Sequence, residues 1–167
     1  MENSFWHKCW ERNALGFHQS DVHPLLVEYF TSLALPSDRH VFVPLCGKTL
    51  DMVYLAQSMQ VTGNEISDIA CRDFFLDNNL EFKSQTLGAF KHYSCQQLAL
   101  WQGDFFKLSS KAIDTVDWIY DRAALIALPI AMQQRYVAHL KSFFSSHTRL
   151  FLVTLEFPTM QLSGPPF

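Results

Sequence analysis

The sequence predicts an α/β fold: βαβ units building a parallel sheet. Three observations lead there. From His40 onward, short β-type runs alternate with amphipathic helical stretches, the pattern of βαβ units. The chain has 167 residues, 49% of them hydrophobic, which suits one domain with a substantial core. No repeat, low-complexity stretch or Pro/Gly/Ser-rich linker divides residues 1–167.

The elements follow in order. Phe5, Trp6, Cys9 and Trp10 make the stripe of a short N-terminal amphipathic helix. The loop Asn13-Ala14-Leu15-Gly16-Phe17-His18-Gln19 comes next. A helix should begin near His23-Pro24, since proline suits a first helical turn, with Leu25, Leu26, Tyr29, Phe30 and Leu33 on one side. His40 to Leu45 is an apolar strand leading through Cys46-Gly47-Lys48 into a helix from Thr49 to Gln57. Gln60 to Glu65 reads as a second strand ending in a carboxylate. Ser67 is a plausible N-cap for a helix carrying Ile69, Ala70, Phe74 and Phe75. Residues 81–102 read as a third strand and a hairpin with arms Phe90–Tyr93 and Leu98–Trp101. Val116 to Tyr120 is a fourth strand, ending at Asp121-Arg122. A helix from Pro129 should bury Met132, Tyr136, Val137, Leu140 and Phe143. Arg149 to Leu155 is the last apolar strand, followed by Glu156-Phe157-Pro158.

Composition excludes several classes. Charged residues are 17% of the chain, against roughly 25% in an average domain. There are 13 basic and 16 acidic side chains, for a net charge of −3. Such a chain is too apolar to be disordered and not basic enough for an evident nucleic-acid binder. No apolar run reaches the roughly 18 residues of a membrane span. Cys9, Cys46, Cys71 and Cys95 contain no C-x-x-C and read as reduced, mostly buried thiols. The seven histidines form no H-E-x-x-H or i,i+4 pair, so no metal site is expected. The N-terminus lacks the apolar core of a signal peptide, and a cytoplasmic protein is expected.

In an open parallel sheet, ligands bind beyond the carboxyl ends of the strands, where the strand order reverses. That rule selects Leu45 to Lys48, Glu65, Gly103 and Asp104, and Asp121 and Arg122. Gly47-Lys48-Thr49 fits the end of a phosphate-binding loop, but Phe42 stands where the first glycine must be. A single glycine also fails the G-x-G-x-x-G dinucleotide fingerprint, in which backbone amides approach a pyrophosphate. What remains is a one-glycine loop and a carboxylate after the second strand. A carboxylate there suits two ribose hydroxyls, both donors. A cofactor with a ribose and no phosphates fits, and S-adenosylmethionine is one.

Seven segments in order then resemble the thiopurine S-methyltransferase family, especially its bacterial members. They are Phe5-Trp6-x-x-x-Trp10, Gly16-Phe17-His18-Gln19, Val43-Pro44-Leu45-Cys46-Gly47-Lys48 and Gly63-x-Glu65-Ile66-Ser67, then Gly103-Asp104-Phe105-Phe106, Tyr120-Asp121-Arg122-Ala123-Ala124-Leu125 and Gly164-Pro165-Pro166-Phe167. Together they cover essentially the whole chain.

The resemblance implies a class I S-adenosylmethionine-dependent methyltransferase fold, Rossmann-like, which in the complete family is a mostly parallel seven-stranded sheet with helices on both faces, and S-adenosylmethionine as methyl donor. It implies that Trp10, Leu45, Glu65, Gly103, Asp104 and Arg122 bind the donor and that Phe17 lies beside the acceptor. The expected acceptor is a small molecule, a thiopurine or another aromatic or heterocyclic thiol. Selenium or tellurium species, or an inactive donor-binding remnant, are the alternatives. A monomer is expected, with no nucleic-acid or membrane partner. Arg122 would be the catalytic residue, stabilising the thiolate of an acceptor thiol acidic enough to need no general base. The competing reading of Arg122 is a surface pair with Asp121, and that of Trp10 is core packing. Asn64 departs from the family, which has a small apolar residue there, and a modest stability cost is expected. Family members continue past Gly-Pro-Pro-Phe with a further helix and the closing strands. The expectation is therefore a sheet lacking its C-terminal strands, with five strands, an exposed apolar edge at 149–155 that invites aggregation, a donor site largely present and an incomplete acceptor site.

Overall fold

The computed structural model describes residues 3–156 and 164–166. Phe157, Pro158 and Phe167, singled out above, lie outside the described residues. Helix α1 spans Asn3–Glu11 and α2 spans 24–33, with a π-helical stretch at Leu26–Phe30. Strand β1 (His40–Val43), α3 (Asp51–Leu55), β2 (Gln60–Glu65) and α4 (Asp68–Asp77) follow. Then come β3 (Lys83–Leu87), β4 (Phe90–Cys95), β5 (Leu98–Gln102), β6 (Trp118–Arg122), α5 (Ile130–Leu140) and β7 (Arg149–Val153).

The strands form one sheet in the order β3-β4-β5-β2-β1-β6-β7. From β5 to β7 every pairing is parallel, while β3-β4 and β4-β5 are antiparallel. The sheet thus has seven strands rather than the expected five, because both hairpin arms join it and β5 becomes a parallel member beside β2. Every residue of β3, Lys-Ser-Gln-Thr-Leu, is exposed. It has no apolar face to bury, which suits the edge it occupies. At the other edge β7 pairs with β6, and Leu150 and Leu152 are exposed, in line with the expected apolar edge.

Alternation along β1 divides the core. Val41 and Val43 pack on one side with Leu26, Phe30, Met52, Phe74 and Trp118. Phe42 packs on the other with Phe105, Ile119, Tyr136, Leu140 and Phe143. Helices therefore cover both faces, as a sheet of near-continuous apolar strands requires. The expected five-residue stripe of α2 is corrected: Leu26 and Phe30 are buried, but Leu25, Tyr29 and Leu33 are exposed. Leu26 and Phe30, four residues apart within the π-helical stretch, form the pair that faces the sheet. In α5, Tyr136 and Leu140 are buried as expected, and Val137 is exposed. Ser67 caps α4 as predicted, its hydroxyl accepting from the N–H of Ala70 at 3.2 Å.

Candidate functional site

The strand order reverses between β1 and β6, and a cavity of about 130 Å³ opens where their C-terminal ends part. Leu45 to Thr49 after β1, Glu65 and Ile66 at the end of β2, and Arg122 to Ala124 at the end of β6 form its floor and walls. Trp6 and Trp10 of α1 and the loop residues Leu15 to His18 complete it.

The backbone beneath the cavity is unusual. Leu45 and Ala123 both have left-handed backbones, with φ of 48° and 69°. Side-chain-bearing residues adopt this region at a cost of roughly 1–2 kcal/mol. Strain of this kind gathers at ligand sites held in place by their surroundings. Gly47 is left-handed as well (φ 54°), and a Cβ there would stand 3.3 Å from the Trp10 indole. A glycine at 47 therefore lets Trp10 lie directly on the loop after β1. The N–H of Cys46 donates to the carbonyl of Asn64 at 2.9 Å, continuing the β1–β2 ladder into this loop.

Glu65 is buried, and each carboxylate oxygen accepts one backbone N–H: Oε1 from Ser67 at 2.8 Å, Oε2 from Gly47 at 2.9 Å. Burial raises its pKa, and the N–H groups of Ser67, Gly47 and Ile66 pull it part of the way back. A carboxylate has about four lone-pair sites, so two remain for hydroxyl donors in the cavity. The carboxylate thus fixes the glycine loop and the start of α4 while still able to accept from a ligand.

Arg122 does not pair with Asp121. Asp121 is buried and accepts from the N–H of Ala124 (3.0 Å), the N–H of Leu125 (3.2 Å) and the hydroxyl of Tyr136 (2.7 Å). Successive strand residues point to opposite faces, and Arg122 turns to the other side. There its Nε donates to Asp51 Oδ2 at 2.9 Å, NH1 to the Phe17 carbonyl at 3.0 Å and NH2 to Thr49 Oγ1 at 3.0 Å. Three of five guanidinium donors are thereby used. His18, beside Phe17, has its pKa lowered by burial and by the charges of Lys48 and Arg122. Lys48 itself reaches back to α4, with Nζ 2.8 Å from Asp77 Oδ2.

Of the residues selected from sequence, Trp10, Phe17, Leu45, Glu65 and Arg122 meet at this one cavity. Gly103 and Asp104 are not among its lining residues. Gly103 stands next to it, its N–H donating to the Glu65 carbonyl at 2.8 Å, and Asp104 caps the following turn by accepting from Phe106 at 3.0 Å. Sequence reasoning missed Trp6, Thr49 and Asp51. Trp6 could have been found, since it stands one helical turn before Trp10 on the same stripe. Asp51 could not, because its partner lies 71 positions away.

Asn64 is wholly buried between β2 and the end of β5. Its Nδ2 donates to the carbonyls of Trp101 (2.8 Å) and Gly103 (3.2 Å), while Oδ1 has no hydrogen-bond partner among the described residues. An unsatisfied buried acceptor costs about 1–3 kcal/mol, which gives the expected modest cost a physical source. The side chain turns toward the end of β5.

The fold is that of solved S-adenosylmethionine-dependent methyltransferases. The chain is similar to one such enzyme from Anabaena variabilis (TM-score 0.63, 15% identity, 90% of this chain and 60% of that one). It is also similar to the magnesium protoporphyrin IX methyltransferase of Synechocystis (TM-score 0.58, 15% identity, 85% and 68%). The sequence narrows the class. A family model for thiopurine S-methyltransferase matches residues 1–167. A thiopurine S-methyltransferase of Shewanella baltica strain OS185 is 48% identical over 168 residues, covering all of this chain and 77% of that protein. Its counterpart in Shewanella sp. strain MR-7 is 47% identical over the same span. The chain belongs to the thiopurine S-methyltransferase family.

Proposed function

We propose that this chain transfers the methyl group of S-adenosylmethionine to the sulfur of a thiopurine or another aromatic or heterocyclic thiol. The observation that carries the reading is one cavity, at the reversal of strand order, walled by both a buried carboxylate and an anchored guanidinium. The donor fits these residues. Glu65 keeps two acceptor positions for the ribose hydroxyls, and the two unused donors of Arg122 suit a carboxylate or a thiolate. Trp10, which lies against Gly47, and Leu45 offer apolar surface to the cavity. Gly103 and Asp104, next to Glu65 along the strand ends, are assigned to the adenine end.

When bound, the donor supplies a methyl carbon on a sulfonium, an activated leaving group that an acceptor thiolate can displace. The chain's own part is alignment and electrostatics. Arg122 holds the acceptor sulfur in its anionic form, Phe17 stacks against the acceptor ring, and the α1 tryptophans exclude water. We assign residues 1–167 to one methyltransferase domain acting as a monomer; the cavity draws its lining from elements between α1 and the end of β6, as a single domain requires. The cytoplasmic reading is supported by the four unpaired cysteines, of which Cys46, Cys71 and Cys95 are buried.

The test is methyl transfer from labelled S-adenosylmethionine to a thiopurine, with calorimetry for donor affinity. Arg122→Lys is the informative variant, because Arg122→Ala would leave the Asp51 carboxylate buried and unpaired. Lysine keeps a charge but loses the planar fork. Turnover should fall by about tenfold to a hundredfold, with a smaller change in donor affinity. Unchanged turnover would remove Arg122 from the reaction.

A further inference from the structure

Asp51 carries a charge at this site that the reaction outlined above does not use. Its side chain is wholly buried, and that of Arg122 is 12% exposed. Oδ2 accepts from Arg122 Nε (2.9 Å) and the Tyr120 hydroxyl (2.9 Å), while Oδ1 accepts the backbone N–H of His23 at 2.7 Å. The N–H of Asp51 donates to Thr49 Oγ1 (3.2 Å), the same oxygen that receives Arg122 NH2 (3.0 Å). Asp51 thus touches the loop after β1 through its N–H, and the end of β6 and the segment before α2 through its carboxylate.

We infer that Asp51 is a positioning residue for methyl transfer, setting the plane of the Arg122 guanidinium and tying down residues 17–23 at the mouth of the cavity. The inference rests on the methyl-transfer reading and deepens it. Arg122 is fixed on three sides, by Asp51, Thr49 and the Phe17 carbonyl. Its orientation therefore does not depend on a ligand, which is the preorganisation that makes a cation useful in a transition state. The segment carrying Phe17 and His18 is anchored at both ends to the same ion pair, through Phe17 to Arg122 and through His23 to Asp51. A buried ion pair is weak evidence for stability, since apolar packing often serves as well. A charge that orients a catalytic group has a reason to be there that apolar packing cannot supply.

The experiment compares Asp51→Asn and Asp51→Glu with wild-type protein. It reads thermal melts, donor Kd by calorimetry with S-adenosylmethionine, and kcat and KM with a thiopurine. Asp38→Asn, a change at a buried carboxylate remote from the cavity, serves as the matched control for lost stability. Folded Asp51→Asn should lose about tenfold to a hundredfold in kcat, the scale of a small misplacement in a catalytic site. Its donor Kd should move by less than about threefold, and Asp51→Glu, which restores the charge, should recover part of the loss. A folded Asp51→Asn with wild-type kcat overturns the inference. So do kcat and donor affinity falling by one common factor, as in the control. Should Asp51→Asn not fold, Asp51→Glu decides: lowered kcat with unchanged donor Kd supports the role, and wild-type kcat overturns it. Wild-type protein that binds no donor overturns the methyl-transfer reading itself, and the positioning role with it.

Discussion

Replacing Glu65 by Gln tests the site at its most constrained point. The carboxylate accepts two backbone N–H groups, from Ser67 at 2.8 Å and Gly47 at 2.9 Å, one on each oxygen. A glutamine offers one oxygen and one NH2. Whichever way the amide turns, one of the two N–H groups faces another donor. Leaving one buried donor unsatisfied costs about 1–3 kcal/mol. In a chain of this size that lowers the melting temperature by about 2–12 °C. The donor loses more specifically. A hydrogen bond from a ribose hydroxyl to an ionised acceptor is worth about 1.5–3 kcal/mol, so Kd for S-adenosylmethionine should rise by about tenfold to a hundredfold. The assay is calorimetric titration of folded wild-type and variant protein, with thermal melts beside it. A Kd within threefold of wild type would refute the ribose role, and an unchanged melt would refute the claim that the carboxylate holds both loops together. Acid provides an independent check. Burial holds the Glu65 pKa above the ordinary 4.5, and the protonated acid accepts poorly. Donor affinity should therefore fall, as pH drops, at a pH higher than an ordinary carboxylate would give, and the Gln variant should lack that step.

Two further outcomes are expected. In Gly63→Ala the new Cβ would stand 2.4 Å from Leu100 Cδ2, 2.7 Å from Cys46 Sγ and 3.0 Å from Met52 Sδ. Overpacking of this kind costs about 1–3 kcal/mol, to be read by urea denaturation; a neutral change would mean that these three side chains yield together. Asp38 concerns acid stability. Burial pushes its carboxyl up, but hydrogen bonds from Leu35, Trp118 and Arg149 outweigh that and hold it below the usual 3.8. A depressed folded-state pKa adds stability above the unfolded value, and that stability is lost as pH falls through the folded value. The stability gap between wild type and Asp38→Asn should then be full near neutrality and shrink below pH 3.8; a gap independent of pH would contradict it.

Much of the fold was legible because the signals are local. The Ser67 cap acts three residues ahead, the Trp6–Trp10 stripe spans one turn, and β2 ends at Glu65 as its pattern indicates. The rule that ligands sit past strand ends then led to Leu45, Glu65 and Arg122 without coordinates. The misreadings arose where a local signal admits two outcomes. The stripe of α2 assumed a period that its π-helical stretch does not follow. The arms Phe90–Tyr93 and Leu98–Trp101 were legible as a hairpin, but their joining the main sheet depends on the pairing of β5 with β2.

By itself the sequence determined the α/β class, the order of its elements, the family and five of the residues that meet at the cavity. Only the tertiary structure decided how those residues are held. Asp121 and Arg122 are neighbours in sequence, yet the strand pleat sends one into the second core and the other toward Asp51, 71 positions away. Glu65 reads in the sequence as a strand-end carboxylate; one backbone donor, Ser67, is two residues away, but the other is Gly47, in the loop after the neighbouring strand β1. Such partnerships are set by which strands lie side by side. Spacing along the chain carries no record of that, because side-chain periodicity reports which face is buried and not which distant residue will cover it.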